Sequence, residues 1–321
     1  MRSIILDCDP GGDDAVALLM ALSAPNILEL KGVTTISGNA SLEWIHTNAR
    51  KVCELAGRRD VRVFAGCSSA LLRPAVNASF CHGNDGLAGA SLPMPTMPLE
   101  KQHAVDFLIQ SLEEAKEPLT LAMTAPITNL AVALCKAPHI ADLIKEVVWM
   151  GGAIGTGNIT PAAEFNAYVD PHALAVVLSR KVPLRMIGLH ITHQVTTSTP
   201  WMARLRAQGT NVARQVAGIL EVEAEADKAR YNLGGRAIHD ACVIASLLRP
   251  ELFTWAPASI SVSTEDNASL GATLVSTYPC HLDEAPHAYV ATQVDAHGVL
   301  ELILSCMAFY RQEDQKQVVG F

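Results

Sequence analysis

Eight residues near the start of the chain read Asp7-Cys8-Asp9-Pro10-Gly11-Gly12-Asp13-Asp14, which places four carboxylates in one short stretch. An apolar run at residues 4–6 precedes it and a second one follows at residues 15–22, an order that predicts a strand, a glycine-rich turn and a helix. Acids this close repel one another unless a cation lies among them, and oxygen ligands suit calcium or magnesium. The alternative is a solvated acidic turn with Asp14 as the helix N-cap. Because ligands of α/β sheets bind at the carboxyl ends of strands, the stretch favours a metal site.

Strand-like and helix-like segments alternate along most of the chain. Further strands are predicted at residues 30–36, 61–64, 119–123, 147–150 and 183–187, with helices between them and more strands at 259–263 and 289–294. This alternation predicts an α/β fold with a mostly parallel central sheet flanked by helices. The sequence contains no repeat, low-complexity tract or clear linker. Residues 1–321 are therefore expected to form a single catalytic domain.

The composition is that of a globular enzyme. Half of the 321 residues are hydrophobic and 17% are charged, which argues against disorder. The formal charge of −8 argues against nucleic acid as a partner. No apolar run approaches the roughly 20 residues of a membrane helix, and no signal peptide is predicted. Eight scattered cysteines without a C-x-x-C pair indicate free thiols in a reducing cytoplasm and no zinc site.

Polar residues recur directly after the predicted strands. In chain order they are Asn39, His82, Thr124, Asn129 and the segment 158–166, and a later helix start adds His239 and Asp240. Each residue taken alone has a structural explanation as a cap, turn or loop residue. However, the carboxyl ends of parallel strands lie at one edge of a sheet, so a single pocket could collect them all. Their shared placement favours a functional role.

These stretches together resemble the nucleoside hydrolases, the inosine–uridine-preferring family. The matching motifs are Asp-x-Asp-Pro-Gly-x-Asp-Asp (7–14), Thr-Thr-Ile-Ser-Gly-Asn (34–39), His-Gly-x-x-Gly-Leu (82–87), Thr-Ala-Pro-Ile-Thr-Asn-Leu-Ala (124–131), Met-Gly-Gly (150–152), Asn-x-Thr-Pro-x-Ala-Glu-Phe-Asn (158–166) and His-Asp-Ala-Cys (239–242). They run in family order from residue 3 to about residue 250. The resemblance implies Ca²⁺-dependent hydrolysis of the N-glycosidic bond of ribonucleosides, which yields ribose and a free base for nucleoside salvage. It also implies a homodimer or homotetramer.

The resemblance implies a role for each acidic residue of the site. The metal ligands would be Asp9, Asp14, Asp240 and the backbone carbonyl of Thr124. Asp13 would be the general base that takes a proton from the attacking water. Asp7 has no direct role in this scheme and is expected to support the turn.

The same resemblance implies which residues contact the substrate. The ribose hydroxyls would be bound by Asn39, Asn158, Glu164 and Asn166. His239 and His82 would assist departure of the base, which must gain a proton or a strong hydrogen bond. Tyr231 would line the base pocket or relay the proton, although an ordinary core or lid tyrosine is an equal expectation.

Two departures from the family pattern concern base recognition and the surroundings of the pocket. Many members have an acidic residue where this chain has His190, which is expected near the pocket. Residues 221–231, where members diverge in base recognition, are acidic and have few aromatic side chains. His82 and Tyr231 are both present and no Trp lies in 202–254, which favours pyrimidine nucleosides.

Two other functions are weighed against the hydrolase. A catalytically silent nucleoside- or ribose-binding homologue would not require Asp13 and His239, both of which are present. A metal-dependent phosphatase could use an aspartyl nucleophile from Asp7 or Asp9, but it would need a lysine to neutralise phosphate. The predicted strand-end turns are nearly empty of lysine, so the phosphatase is the weaker alternative.

Overall fold

The apolar run that opens the chain forms the middle of a large sheet in the computed structural model, which describes residues 1–319 and the side chains of residues 1–311. In this described part, the strands are β1 (Arg2–Cys8), β2 (Leu28–Thr35), β3 (Val63–Ala65), β4 (Leu119–Met123), β5 (Ile144–Met150), β6 (Leu184–Ile187), β7 (Phe253–Pro257), β8 (Ser259–Val262), β9 (Thr273–Ser276) and β10 (Ala288–Val294). The helices are α1 (Gly12–Leu22), α2 (Leu42–Leu55), α3 (Ser79–His82), α4 (Ala104–Glu114), α5 (Thr128–Lys136), α6 (Phe165–Val169), α7 (Pro171–Ser179), α8 (Leu189–Thr192), α9 (Thr199–Ala207), α10 (Asn211–Tyr231), α11 (Ala241–Leu248) and α12 (Ala296–Val319).

Eight strands form the main sheet in the order β3-β2-β1-β4-β5-β6-β10-β7 among the residues described. All neighbouring pairs are parallel except β10 and β7, which are antiparallel. Strands β8 and β9 form a separate antiparallel pair. The prediction of a mostly parallel α/β sheet flanked by helices is therefore confirmed, while β7 and β9 were not anticipated.

The sheet is covered on both faces. Successive residues of β1 alternate between two hydrophobic clusters, since Ile4 and Leu6 pack with α1, α10 and α11, whereas Ile5 packs with α4, α5 and α7. This alternation follows from the two-residue repeat of a strand. No helix in the described range is long and apolar enough to cross a membrane.

The pairing register brings the ends of the central strands to one edge of the sheet. Cys8 at the end of β1 pairs with Thr35 of β2, and Asp7 pairs with Met123, which ends β4. Met150 at the end of β5 pairs with Ile187. The loops that leave these strands therefore meet at one edge, as the sequence predicts.

Two local details differ from the sequence expectations. The long loop at residues 65–98 contains the short helix α3, which ends at His82. The segment around Glu164, considered as a simple turn, instead begins helix α6 with Glu164 as its N-cap. In both places a residue of the predicted site lies at a helix end, where backbone N–H and C=O groups lack helical partners.

Candidate active site

Three carboxylates meet at the carboxyl edge of the sheet. One oxygen each from Asp13, Asp14 and Asp240 lies within 4.8 Å of the other two. Asp13 and Asp14 lie in the first turn of α1, and Asp240 is the residue before α11. The structure thus brings together acids that are more than two hundred residues apart in the chain.

Asp14 is held from three sides. Its Oδ1 accepts the hydroxyl of Thr124 at 2.7 Å, and its Oδ2 accepts the backbone N–H of Gly11 at 3.1 Å and the side-chain amide of Asn39 at 3.0 Å. The N-cap of α1 is Gly11 rather than Asp14, so the alternative of Asp14 as the N-cap is wrong. These hydrogen bonds hold the Asp14 carboxylate beside those of Asp13 and Asp240.

Asp9 lies beneath the same cluster. Its Oδ2 accepts the backbone N–H of Asn39 at 2.7 Å, while its Oδ1 is buried and has no hydrogen-bond partner among the described residues. A Cβ placed on Gly38 would overlap Oδ2 of Asp9, so only glycine leaves room there. A buried carboxylate oxygen without a partner is costly, and a cation would satisfy it.

The electrostatics of the cluster also fit a cation. Burial and the neighbouring Asp13 raise the pKa of Asp14 to about 6. Burial first, and then repulsion from Asp13, Asp14 and Asp9, raises the pKa of Asp240 well above its ordinary value. Asp14 and Asp240 therefore resist ionisation until positive charge arrives. An all-oxygen donor set with excess negative charge suits a hard divalent cation.

Asp7 lies behind the turn and outside the pocket. Its Oδ2 accepts the Thr34 hydroxyl at 2.6 Å and the Asn129 amide at 2.8 Å, which ties β1 to β2 and α5. Burial raises its pKa to about 7. This placement agrees with the supporting role expected for Asp7.

Asp13 faces a cation that the sequence reasoning missed. Its Oδ1 accepts a hydrogen bond from Nη2 of Arg236 at 2.9 Å, and its Oδ2 accepts the backbone N–H of His239 at 3.2 Å. Burial, the largest single contribution, would raise the pKa of Asp13, but Arg236, His239 and His82 together outweigh it and hold the pKa below its usual range. Asp13 is thus ionised beside carboxylates whose pKa values are raised.

Arg236 is itself paired with two acids of α10, Glu223 and Asp227, which the sequence reasoning also missed. Glu223 in addition accepts the backbone N–H of Gly12 at 3.0 Å and contacts Nδ1 of His82 at 2.6 Å. Burial would lower the pKa of His82, but Glu223 raises it. Glu223 and Asp227 are four residues apart in a helix, so they share a face; this was the available signal.

On the opposite side of the pocket, the residues around α6 are arranged by backbone contacts. Glu164 accepts the N–H groups of Gly152 at 2.7 Å, Asn166 at 2.9 Å and Ala167 at 3.1 Å. Burial raises the pKa of Glu164 to about 7, although these hydrogen bonds lower it. Asn166 donates to the Thr124 carbonyl at 3.1 Å. The Asn166 amide therefore contacts the carbonyl that is expected to bind metal, while Glu164 fixes the start of α6.

Two further residues of the predicted site, His239 and Tyr231, also line the pocket. Nδ1 of His239 contacts the Thr192 hydroxyl at 2.7 Å, and burial, the largest cause, lowers the His239 pKa to about 3, so its ring is neutral. The Tyr231 hydroxyl donates to the Asn158 carbonyl at 3.2 Å. His190 contacts the Ala291 carbonyl at 2.8 Å and does not line the pocket, and its expected place near the pocket stays a prediction.

One pocket collects nearly all of the predicted residues. Those that line it are Asp13, Asn39, His82, Thr124, Asn158, Glu164, Asn166, Tyr231, His239 and Asp240, and Arg236, Asp227, Phe80, Cys81 and Ile159 line it too. Asp9 and Asp14 are buried directly beside this lining. The pocket thus has an acidic end, a wall of amides and carboxylates, and a wall of aromatic, apolar and histidine side chains.

The chain resembles known proteins along nearly its whole length. The model of the inosine-uridine preferring nucleoside hydrolase family matches residues 4–301. An uncharacterized protein of Schizosaccharomyces pombe is 40% identical over 304 residues, which cover 94% of this chain and 97% of that protein. The pyrimidine-specific ribonucleoside hydrolase RihA of Shigella boydii is 39% identical over 308 residues, with coverage of 96% and 98%.

Solved structures show the same architecture. A purine-preferring ribonucleoside hydrolase from Gardnerella vaginalis superposes with a TM-score of 0.90 at 30% sequence identity. The match covers 97% of this chain and 99% of that protein. Its strands and helices therefore correspond to those described above over almost the full chain.

Proposed function

This chain belongs to the inosine-uridine preferring nucleoside hydrolase family, and we propose that it releases ribose and a free base from ribonucleosides in a Ca²⁺-dependent reaction. The assignment of ribonucleoside N-ribohydrolase activity rests on the family match and on the relatives. The observation that carries the chemistry is the meeting of Asp13, Asp14 and Asp240 in the pocket.

We assign the metal to Asp9, Asp14, Asp240 and the Thr124 carbonyl. The partnerless oxygen of Asp9 and the raised pKa values of Asp14 and Asp240 support this assignment. Ca²⁺ takes about six to eight oxygens, so solvent and substrate oxygens complete the set. A Ca²⁺ ion held there would supply the polarisation of a water molecule.

Asp13 is the general base in this proposal. It is the one carboxylate of the trio whose pKa is lowered, so it is ionised and able to accept a proton at neutral pH. Contacts to Arg236 and to the His239 backbone hold it in one orientation. A positioned base of this kind contributes about 10²- to 10⁴-fold to rate.

The polar wall is assigned to ribose. Asn39, Asn158, Glu164 and Asn166 line the pocket next to the acidic end and offer the amides and carboxylate that hydroxyl groups bind. Hydrolysis of an N-glycosidic bond passes through a state with positive charge on the sugar ring. Nearby carboxylates match that developing charge, while the hydroxyl contacts hold the ring in place.

The histidines are assigned to the leaving base. Nδ1 of His239 contacts Thr192 and Nδ1 of His82 contacts Glu223, so Nε2 is the nitrogen of each ring that we assign to the base. Tyr231 joins the end of α10 to the loop at Asn158 and closes this side of the pocket. A departing base then finds a hydrogen-bond donor when its bond to ribose breaks.

We further propose a preference for pyrimidine nucleosides. His82 and Tyr231 line the base side, and a relative of 39% identity is named a pyrimidine-specific enzyme. A structurally similar enzyme is named purine-preferring, so the fold does not decide the preference. A higher kcat/KM for uridine than for inosine is the expected result; the reverse order would refute this preference.

The direct test is a substrate panel. Purified protein with Ca²⁺ is incubated with uridine, cytidine, inosine and adenosine, and released ribose is measured as reducing sugar. Ribose from at least one nucleoside supports the hydrolase. If calorimetry shows bound metal and bound nucleoside but no ribose forms, the silent binding homologue is favoured instead. Turnover of a generic phosphate ester would revive the phosphatase.

Location and assembly complete the proposal. All eight cysteines lie in the described residues and are free thiols, which agrees with a reducing compartment such as the cytoplasm. We expect a homodimer or homotetramer acting as one catalytic domain per chain. Light scattering of the purified protein measures the assembly, and a monomer at working concentration would contradict it.

A further inference from the structure

The Arg236 guanidinium binds three carboxylates through three different nitrogens. Nη2 lies 2.9 Å from Oδ1 of Asp13, and Nη1 lies 3.0 Å from Oδ1 of Asp227. Nε lies 3.0 Å from Oε2 of Glu223, an ion pair without hydrogen-bond alignment. The Arg236 side chain is 3% exposed, so these contacts determine its orientation rather than solvent.

The acids of α10 need this cation. Glu223 and Asp227 are each about 1% exposed, and they lie one turn apart on the same face of α10. Two buried like charges at this spacing repel each other unless a cation lies between them. Burial would lower the Arg236 pKa, but Glu223, Asp13 and Asp227 together raise it, so the guanidinium stays charged.

The two oxygens of Asp13 are held differently. Oδ2 accepts the backbone N–H of His239, which every residue except proline would supply at that position. Oδ1 is bound by the Arg236 side chain, whose plane is set by the α10 acids. Because the guanidinium is planar and its other nitrogens are held by acids, both the direction and the length of its hydrogen bond to Asp13 are fixed. The orientation of Asp13 therefore depends on residues of α10 that lie beyond Arg236.

We propose that Arg236 is a positioning residue for Asp13, and that Glu223 and Asp227 act on Asp13 through Arg236. The inference rests on the proposed role of Asp13 as general base. Under this proposal, the position of α10, which lies beside the base pocket, determines the orientation of the Asp13 carboxylate. Misplacing a catalytic group by about 1 Å can cost about 100-fold in rate, which sets the size of the expected effect.

The first test replaces the planar guanidinium of Arg236 by an ammonium group and keeps the positive charge. Arg236→Lys is expected to lower kcat on the best nucleoside about 10- to 100-fold, with KM changed less than about 3-fold, because substrate contacts remain. Calcium binding by calorimetry and the melting temperature report whether the site and the fold persist. Arg204→Lys, at an exposed bidentate pair with Glu301, is the matched control and should leave kcat unchanged.

A double-mutant cycle tests the path from α10. Asp227→Asn keeps the shape of the side chain and removes the negative charge that Asp227 presents to Arg236. If both residues act through the same contact, the loss of kcat in the double variant equals that of Arg236→Lys alone. Effects that multiply would mean independent actions and would overturn the coupling.

Chemical rescue separates positioning from folding. In Arg236→Ala, millimolar methylguanidinium is expected to restore kcat with saturation, whereas methylammonium at the same concentration is not. If Arg236→Ala does not fold, the Arg236→Lys kinetics and the cycle still decide. Wild-type kcat in Arg236→Lys, or a change confined to KM, would refute the positioning role. Failure of the proposed function is a separate outcome, in which the wild-type protein releases no ribose.

Discussion

Thr124 donates its hydroxyl to Oδ1 of Asp14 across 2.7 Å, although the two residues are 110 positions apart. The contact joins the end of β4 to the first turn of α1, and both side chains are buried. The sheet therefore places Thr124 so that its side chain supports Asp14, and its carbonyl is the one that we propose as a further ligand of the same ion. A site built in this way is formed before metal arrives, as precise coordination requires.

Asp14→Ala removes the best-supported of the proposed ligands. We expect Ca²⁺ binding and nucleoside turnover to be lost together, because the remaining oxygens cannot complete the coordination. Isothermal titration calorimetry measures the binding, and Asp106→Asn at an exposed position serves as control. Retained Ca²⁺ affinity in Asp14→Ala would show that the ligand assignment is wrong.

Asp13→Asn should separate chemistry from metal binding. The amide keeps an oxygen for Arg236 but cannot accept a proton, so kcat is expected to fall about 10²- to 10⁴-fold. Calorimetry should show Ca²⁺ still bound, in contrast to Asp14→Ala. Unchanged turnover would exclude Asp13 as the general base.

Gly38→Ala tests the space next to Asp9. The added Cβ would overlap Oδ2 of Asp9 and displace that carboxylate, so Ca²⁺ affinity is expected to fall about 10- to 100-fold. Gly234→Ala is the matched control, since a Cβ there meets no atom within 4 Å in the structure. Equal Ca²⁺ affinities in the two variants would mean that Asp9 does not bind the ion.

The raised carboxylate pKa values predict an unusual pH dependence of stability. Without metal, the folded protein keeps protons on Asp14 and Asp7, whose pKa values are about 6 and about 7, while the unfolded chain loses them near pH 4. This contribution is present at low pH and is lost as pH rises through 6 and 7. The lowered pKa of Asp13 has the opposite sign, but it acts below about pH 4. The lowered pKa of His239 also has the opposite sign, up to about pH 6.5, but the raised pKa values of Asp9, Glu164 and Asp240 add to those of Asp14 and Asp7 and outnumber it.

The measurement is the melting temperature between about pH 5 and about pH 8, in chelator and in Ca²⁺. In the presence of chelator, the melting temperature should fall as the pH rises through this range. Ca²⁺ should raise it most at the upper end, because the ion binds ionised carboxylates of the folded state. A Ca²⁺-induced increase that is larger at pH 5 than at pH 8 would contradict the assignment.

Leaving-group assistance can be tested with a substrate that needs none. His239→Gln is expected to lower kcat on uridine about 10²-fold or more and to spare a nitrophenyl riboside, because nitrophenolate leaves without a proton. His82→Gln shows in the same assay whether the second ring shares the role. His139→Gln, at an exposed pair with Glu113, is the control. Equal losses on both substrates would assign His239 to orientation instead.

Much of the site could be predicted because its residues follow strands. Asp9, Asn39 and Thr124 each come directly after a periodic apolar segment, and parallel pairing brings such positions together. The turn at residues 7–14 also carried a specific resemblance. Local pattern and long-range geometry agree at these positions.

Arg236, Glu223 and Asp227 were missed for a physical reason. Charged residues on a helix usually face water, so an acidic stretch predicts an exposed surface. Their burial arises only because α10 packs against α1 and brings its acids to Arg236. The pairing is a property of the tertiary structure.

The strand β7 was missed for a related reason, because it is a short antiparallel neighbour of β10 and not part of the repeating strand–helix pattern.

The position of β10 between β6 and β7 has a consequence for the synthesis of the protein. Every proposed active-site residue precedes α11, yet β6 gains its second neighbour only when Ala288 and the residues after it have been made. Until then, β6 presents an open edge that can pair with another chain. The nascent protein therefore holds every proposed active-site residue on an unfinished sheet. Truncation after α11 would favour aggregation over a smaller working enzyme.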